Sequence, residues 1–195
     1  MLTIQVASRQ NTYTASQCPL RTISPRDTLP DMNEKTIEFK SHDPDWAKAF
    51  EQEFRLLKTV LGKYITAIHH VGSTAIPSIE AKPIIDIAIE SSVYPPSDFI
   101  VNTLMEFDYV SHGNAGVAGR SCFSKGVPRE INLHFCPKNG KVVQSQVCFR
   151  DALQTDIALA REYEALKNIA SYGRHIDSAE YAAAKDSFIE MVLSR

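Results

Sequence analysis

The sequence predicts an α/β fold in which a mixed β-sheet is flanked by helices, with further helices at the C-terminal end of the chain. Residues 84–89 are almost continuously apolar and β-branched, which is typical of a strand buried on both faces. An amphipathic helix precedes this strand, and helical periodicity dominates after Gly140. The order of helix, strand, helix, strands and helices indicates one mixed α/β domain.

The first helix is expected to begin at Asp43, a good N-cap residue, and to end at Gly62. One apolar stripe recurs every three or four residues between these positions and consists of Trp46, Phe50, Phe54, Leu57 and Leu61. Further helices are expected over residues 97–106, 144–153 and 156–170, and from Asp177, with Glu180 in the capping-box position, to the C-terminus.

Short strands are expected near Tyr109 and over residues 121–125, with a glycine-containing loop between them. Residues 131–136 alternate apolar and polar side chains, which predicts a strand with one apolar and one polar face. The polar face of that strand would carry Asn132 and His134.

Composition limits the classes of function. The chain has 195 residues and a formal net charge of -2, so nucleic acid is not the expected partner. No apolar run approaches the roughly 18 residues that a membrane-spanning helix needs, so a soluble protein is expected. The four cysteines lack the close spacing of structural zinc sites, which favours free thiols in a reducing, cytoplasmic compartment.

Residues 1–36 are interpreted as an N-terminal extension and residues 37–195 as the folded domain. The extension is rich in Ser and Thr and contains Arg9, Arg21 and Arg26 but no acidic residue before Asp27. This composition is also that of an organellar transit peptide, so an organellar location is the alternative to a cytoplasmic one.

The segment from residue 69 to residue 90, HHVGSTAIPSIEAKPIIDIAIE, carries the candidate site. The backbone N–H groups of a turn at Gly72, with the hydroxyls of Ser73 and Thr74, can hold phosphate oxygens because glycine leaves room for them. Asp86 is a carboxylate inside a strand predicted to be buried, where an unpaired charge costs several kcal/mol. It therefore requires a metal ion, a cation or hydrogen-bond donors, and pairing with a Lys or Arg is the structural alternative.

Several motifs in order, DPDWAKAF, HVGSTAIP, AKPIIDI, NLHF and FRDAL, followed by Tyr-containing terminal helices, resemble the GrpB family over residues 37–195. This resemblance implies a nucleotidyltransferase fold. In active nucleotidyltransferases the Gly-Ser turn holds the triphosphate, and the following strand supplies two carboxylates, two residues apart, that bind Mg²⁺.

Carried over by position, the resemblance assigns Gly72 and Ser73 to the phosphate turn and Asp86 to the first metal ligand. The second carboxylate position holds Ala88, and Glu90 lies about 13 Å from Asp86 in a regular strand, too far to share an ion. Asn132 and His134 stand where the third acidic ligand is expected, so Mg²⁺ would need oxygen ligands from bound phosphates. The family's Gly is also replaced at Ser78, which is expected to stiffen the turn.

His134 is predicted to take part in catalysis with Asp86, whereas His69 and His70 are expected to be structural. Basic residues in segments that resemble the family are candidate phosphate contacts, with a solvated surface charge as the alternative for each: Lys82, Arg120, Lys125, Arg129, Arg150, Lys167 and Lys185. Arg150 is the preferred candidate among them because it lies between Phe149 and a possible acidic partner, Asp151.

Two functions follow from these residues, both with a nucleotide or another phosphorylated small molecule as partner. The first is transfer of a nucleotidyl group with Mg²⁺ as cofactor. The second is a binding or accessory module that performs little chemistry, which the resemblance favours because family members can be joined to a kinase domain of coenzyme A biosynthesis. A purely structural role is the third possibility, but it does not explain why a carboxylate, Asp86, occurs in a strand predicted to be buried.

Overall fold

The computed structural model describes residues 39–171 and 178–194. The elements run in the order α1 (Asp45–Leu61), β1 (Ile65–Val71), a short 3₁₀ helix (Ser73–Ala75), β2 (Ile85–Ser91), α2 (Asp98–Glu106), β3 (Val110–Ser111), β4 (Ser121–Lys125), β5 (Ile131–Pro137), α3 (Lys141–Thr155), α4 (Ile157–Ser171) and α5 (Ser178–Leu193). No helix within the described ranges is both long and apolar enough to cross a membrane.

The five strands form one sheet in the order β1-β2-β5-β4-β3. The central pair β2 and β5 is parallel, and the other three pairs are antiparallel. This arrangement confirms the predicted mixed sheet flanked by helices.

The main core lies between one face of the sheet and helices α1 and α2. Ile87 and Ile89 of β2 and Leu133 and Phe135 of β5 are fully buried there. Because side chains alternate along a strand, the residues between them point to the opposite face. The prediction of one apolar and one polar face for the strand around His134 is therefore confirmed.

Helix α3 covers part of the opposite face of the sheet. A small apolar cluster of Val71, Ala88, Cys136 and Val143 joins this helix to β1, β2 and β5. Asp86 lies at the start of β2 on this face, and 27% of its side chain is accessible to solvent. The sheet therefore has an apolar face and a face that becomes polar where β2 and β5 begin.

The element boundaries differ from the expectations in a few places. Helix α1 starts at Asp45, whose backbone N–H donates to the Asp43 carboxylate at 2.9 Å. Strand β1 was not predicted, although it forms one edge of the sheet. The expected start of the last helix at Asp177 and the expected extension over residues 1–36 lie outside the described residues.

A buried charged network connects α1 to the far strands on the core face. Glu53 is 7% exposed and accepts hydrogen bonds from the Tyr109 hydroxyl at 2.9 Å and from Lys125 Nζ at 3.0 Å. The side chain of Lys125 points to this face together with its strand neighbour Phe123. Glu53 therefore lies on the buried face of α1, which the sequence pattern predicted to be apolar.

Replacement of Lys125 by Met is expected to destabilise the fold by about 2 kcal/mol, because it leaves the Glu53 carboxylate buried without its cation. The free energy of unfolding in urea measures this effect. Lys48→Met is the matched control, since Lys48 and Asp45 form a solvent-exposed pair whose loss should leave the free energy of unfolding nearly unchanged. Equal stability of the two variants would contradict the role given to Lys125.

Candidate functional site

The turn after β1 passes directly over the carboxylate of Asp86. Val71 is registered opposite Asp86, and the next residue, Gly72, has a φ of +71°. A Cβ atom built on Gly72 would overlap the Asp86 carboxylate. Glycine is thus required here both for the left-handed backbone and for the absence of a side chain. The turn brings Ser73 beside the start of β2.

Asp86 is held by the neighbouring parallel strand. Asn132 is registered opposite it, and its Nδ2 donates to Asp86 Oδ1 at 2.9 Å. His134 Nε2 lies 3.9 Å from the same oxygen. The carboxylate therefore has an amide donor and an imidazole on one side, and the Gly72 turn on the other.

His134 joins Asp86 to the glycine-containing loop before β4. Arg120 Nη1 lies 3.2 Å from His134 Nδ1, and Cys122 Sγ lies 3.7 Å from the same nitrogen. Burial lowers the pKa of His134, but its contacts with Asp86 and Cys122 outweigh burial and leave the pKa raised. The Arg120 guanidinium opposes protonation because it can only donate to Nδ1. A charged His134 therefore requires Arg120 to move.

Helix α4 reaches the turn from the C-terminal part of the chain. Lys167 Nζ lies 3.4 Å from Ser73 Oγ and donates to the Glu80 carbonyl at 2.5 Å. Burial lowers the pKa of Lys167 to about 8, since only 3% of the residue is exposed. Burial also raises the pKa of Tyr163 to about 12, against the effect of a hydrogen bond to Ser73. An ammonium group and a phenol thus border the Ser73 hydroxyl.

Thr74 and Arg150 support the turn from behind. Thr74 is 2% exposed, and its hydroxyl donates to the Ile84 carbonyl at 3.3 Å and contacts His70 Nε2 at 3.0 Å. Arg150 Nη1 donates to the His70 carbonyl at 2.7 Å and pairs with Asp151. Burial lowers the pKa of His70 to about 4, so its imidazole is neutral near pH 7. These residues shape the turn through the backbone.

The other predicted basic residues have different surroundings. Lys125 lies on the opposite face of the sheet, where Glu53 binds its ammonium group. Arg129 is exposed in the loop between β4 and β5, where its charge adds to burial in lowering the pKa of His112. Lys82 is half-buried in the segment before β2. The structure therefore brings Arg120 to His134 and Lys167 to Ser73, and places Lys125 on the opposite face of the sheet.

The residues around Asp86 do not fit a Mg²⁺ site made by the protein alone. Ala88 is fully buried at the position of the second carboxylate. Glu90 is bound by His69 at 3.1 Å and by the backbone N–H of Asn139 at 2.8 Å. In the part of the chain that is described, no three or more His, Cys, Asp or Glu side chains are grouped to hold a metal ion. One carboxylate, an amide and an imidazole are too few hard oxygen ligands for Mg²⁺.

Two residues at the turn are not singled out by the sequence. Tyr163 enters only through the family resemblance of the terminal helices, and Lys167 is one of several basic candidates. A signal is nevertheless present, because Leu159, Ala160, Tyr163 and Lys167 share one helical face. A charged residue on an otherwise apolar stripe indicates a buried polar contact.

Gly72→Ala is expected to destabilise the protein by about 3 kcal/mol, because it adds backbone strain and displaces the Asp86 carboxylate. Gly116→Ala is the matched control, since Gly116 has a φ of +77° and a Cβ added there would have no atom within 4 Å. The control should lose only about 1 kcal/mol from strain. Urea unfolding of both variants measures the difference, and similar losses would argue against the close contact of Gly72 with Asp86.

Comparison with known proteins places the chain among relatives of similar fold. The sequence profile described as GrpB protein matches residues 36–195. UPF0157 protein YqkA from Bacillus subtilis (strain 168) is 36% identical over 159 residues, which are 80% of this chain and 46% of that relative. The chain thus spans about half the length of YqkA.

A solved structure and a kinase extend this comparison. The crystal structure of conserved protein GrpB from Enterococcus faecalis matches with a TM-score of 0.72 and 26% identity, covering 80% of this chain and 98% of that one. A dephospho-CoA kinase from Mycolicibacterium paratuberculosis is 28% identical over 170 residues, which are 74% of this chain and 42% of the kinase. The match over residues 36–195 and the shared nucleotidyltransferase-like fold show that the chain belongs to the GrpB family.

Proposed function

We propose that this chain binds the phosphate groups of a nucleotide or another phosphorylated small molecule at the Gly72 turn. The observation that carries this proposal is the position of Ser73. Its hydroxyl follows the glycine that packs on Asp86, and it lies 3.4 Å from the Lys167 ammonium. A hydroxyl, turn backbone and a cation in contact are groups that bind phosphate oxygens.

The charges around the turn support an anionic ligand. Lys167 lies beside Ser73 and Arg120 lies beside His134, so two cations are available to a phosphate at the turn. A phosphate between Ser73 and these cations would be stabilised by charge-assisted hydrogen bonds. Asp86 and Asn132 then face the part of the ligand next to the phosphate.

The kinase relative suggests one further ligand to test. Its name states that it acts on dephospho-coenzyme A, which contains both a nucleotide and a pyrophosphate group. We include this compound beside nucleoside triphosphates because one small molecule then presents the two chemical features that the site would recognise. In this proposal the chain serves as a binding or accessory module in the cytoplasm.

Titration calorimetry with ATP, GTP and dephospho-coenzyme A is expected to give saturable binding to the wild-type protein. Ser73→Ala should weaken that binding by about tenfold, the usual effect of losing a hydrogen bond to a charged group. Ser92→Ala is the control, since the exposed Ser92 bonds to the Tyr64 carbonyl away from the turn. Absence of binding by every phosphate compound would overturn the proposal.

Nucleotidyl transfer is the second candidate, because the Asp86 carboxylate is partly exposed beside the turn. Mg²⁺ would have to enter with the ligand phosphates, since the protein groups do not form a site for it. We expect pyrophosphate release from ATP with added Mg²⁺ to disappear in Asp86→Asn if this activity exists. Pyrophosphate release that persists in Asp86→Asn would contradict a catalytic role for Asp86. If the wild-type protein binds ATP but releases no pyrophosphate, nucleotidyl transfer is overturned and only the binding function is supported.

A further inference from the structure

We propose that Lys167 is a positioning residue that turns the Ser73 hydroxyl toward the bound phosphate, and that it makes ligand affinity depend on pH. This inference rests on the proposed function of the Gly72 turn. It assigns helix α4 a role in ligand binding that the turn and strands alone do not provide.

Lys167 is fixed in place by contacts from several elements. Its Nζ donates to the Glu80 carbonyl at 2.5 Å and lies 5.3 Å from the ring centre of Tyr163, one helical turn earlier. The ring centre of Phe39 lies 5.5 Å away on another side. A buried ammonium with these neighbours has few other positions, so its direction toward Ser73 is set by the fold.

The hydrogen-bonding capacities of the two groups decide the direction of their contact. An ammonium group has three donors and no acceptor, whereas a serine hydroxyl has one donor and two acceptor lone pairs. Ser73 Oγ must therefore accept from Lys167. The single Ser73 hydroxyl proton is then donated to the Tyr163 oxygen without ligand, or to a phosphate oxygen beside the turn, and the charged phosphate is the stronger acceptor of the two.

Deprotonation of Lys167 reverses this arrangement. A neutral amine has a lone pair, so the Ser73 hydroxyl can donate to Lys167 and turn away from the ligand. The site also loses one positive charge. Both changes weaken phosphate binding as the pH rises.

The charged and titratable groups around Lys167 set its pKa and therefore the pH at which it loses its proton. Burial lowers the pKa of Lys167 to about 8, Glu164 and Glu80 act to raise it, and Lys185 on α5 acts to lower it. Tyr163 keeps its proton in this range because burial raises its pKa to about 12. In the absence of ligand, Lys167 is thus charged below pH 8 and becomes neutral above it, so affinity falls with rising pH.

The test is calorimetry with ATP and dephospho-coenzyme A at pH 7 and pH 9.5. The affinity of wild-type protein should fall by about tenfold between these values, the size expected for one charge-assisted hydrogen bond. Lys167→Met should bind weakly at both values, without a fall. Lys167→Arg should keep a larger share of the affinity at pH 9.5, because a guanidinium stays charged.

Lys185→Met provides a second variant that leaves the Ser73 contact intact. Removing this like charge should shift the fall in affinity to higher pH, and it decides the question if Lys167→Met does not fold. A wild-type affinity that is equal at both pH values, or a fall that persists in Lys167→Met, overturns the role of Lys167. Wild-type protein that binds neither probe at pH 7 contradicts the proposed function instead.

Discussion

The close packing of the Gly72 backbone on the Asp86 carboxylate is the constraint on which the arrangement of the site depends. Strand β1 ends at Val71, opposite Asp86, and the chain must turn there without a side chain at the next residue. The left-handed backbone of Gly72, which packs on the carboxylate, leads directly into the short 3₁₀ helix that begins at Ser73. With any other residue at this position, the turn or the acid would have to move.

The C-terminal helices hold this turn from the side opposite the sheet. Gln154 of α3 donates to the Ala75 carbonyl at 2.7 Å, and Ile76 and Ile79 after the turn are buried against α3, α4 and α5. Tyr163 belongs to the same apolar cluster. Packing energy in this cluster therefore also determines where Lys167 lies relative to Ser73, which makes the helices part of the site.

The fold class and the buried strand around Asp86 were predictable because both depend on local periodicity. Strand β1 was not, since His69 and His70 interrupt its apolar pattern. The structure compensates for His70, whose ring stacks on Phe50 at 4.8 Å and contacts Thr74. Glu53 was missed for a similar reason, because a carboxylate is acceptable on a buried helix face only when distant partners such as Lys125 bind it.

The separation of the basic residues could be predicted only in part. Lys125 has the same strand parity as Phe123, so alternation already placed it with the core rather than with His134. The contact of Lys167 with Ser73 joins residues 94 positions apart, and no local pattern specifies such a pair. Residues that only tertiary packing brings together can be recognised from sequence when a charged or polar side chain occupies a position that the periodicity assigns to an apolar face.

The replacement of the second carboxylate by Ala88 changes the electrostatic character of the site as well as its metal-binding capacity. Two neighbouring carboxylates repel a phosphate unless divalent cations neutralise them, which couples ligand binding to metal binding. Here Ala88 leaves Asp86 as the carboxylate of β2 that contacts the Gly72 turn, while Lys167 contacts Ser73 and Arg120 contacts His134. Asn132 also neutralises part of the field of Asp86 by donating to its Oδ1. Under the proposed function, a site of this composition attracts phosphate without a divalent cation, so its binding is independent of the metal that catalysis in this fold requires.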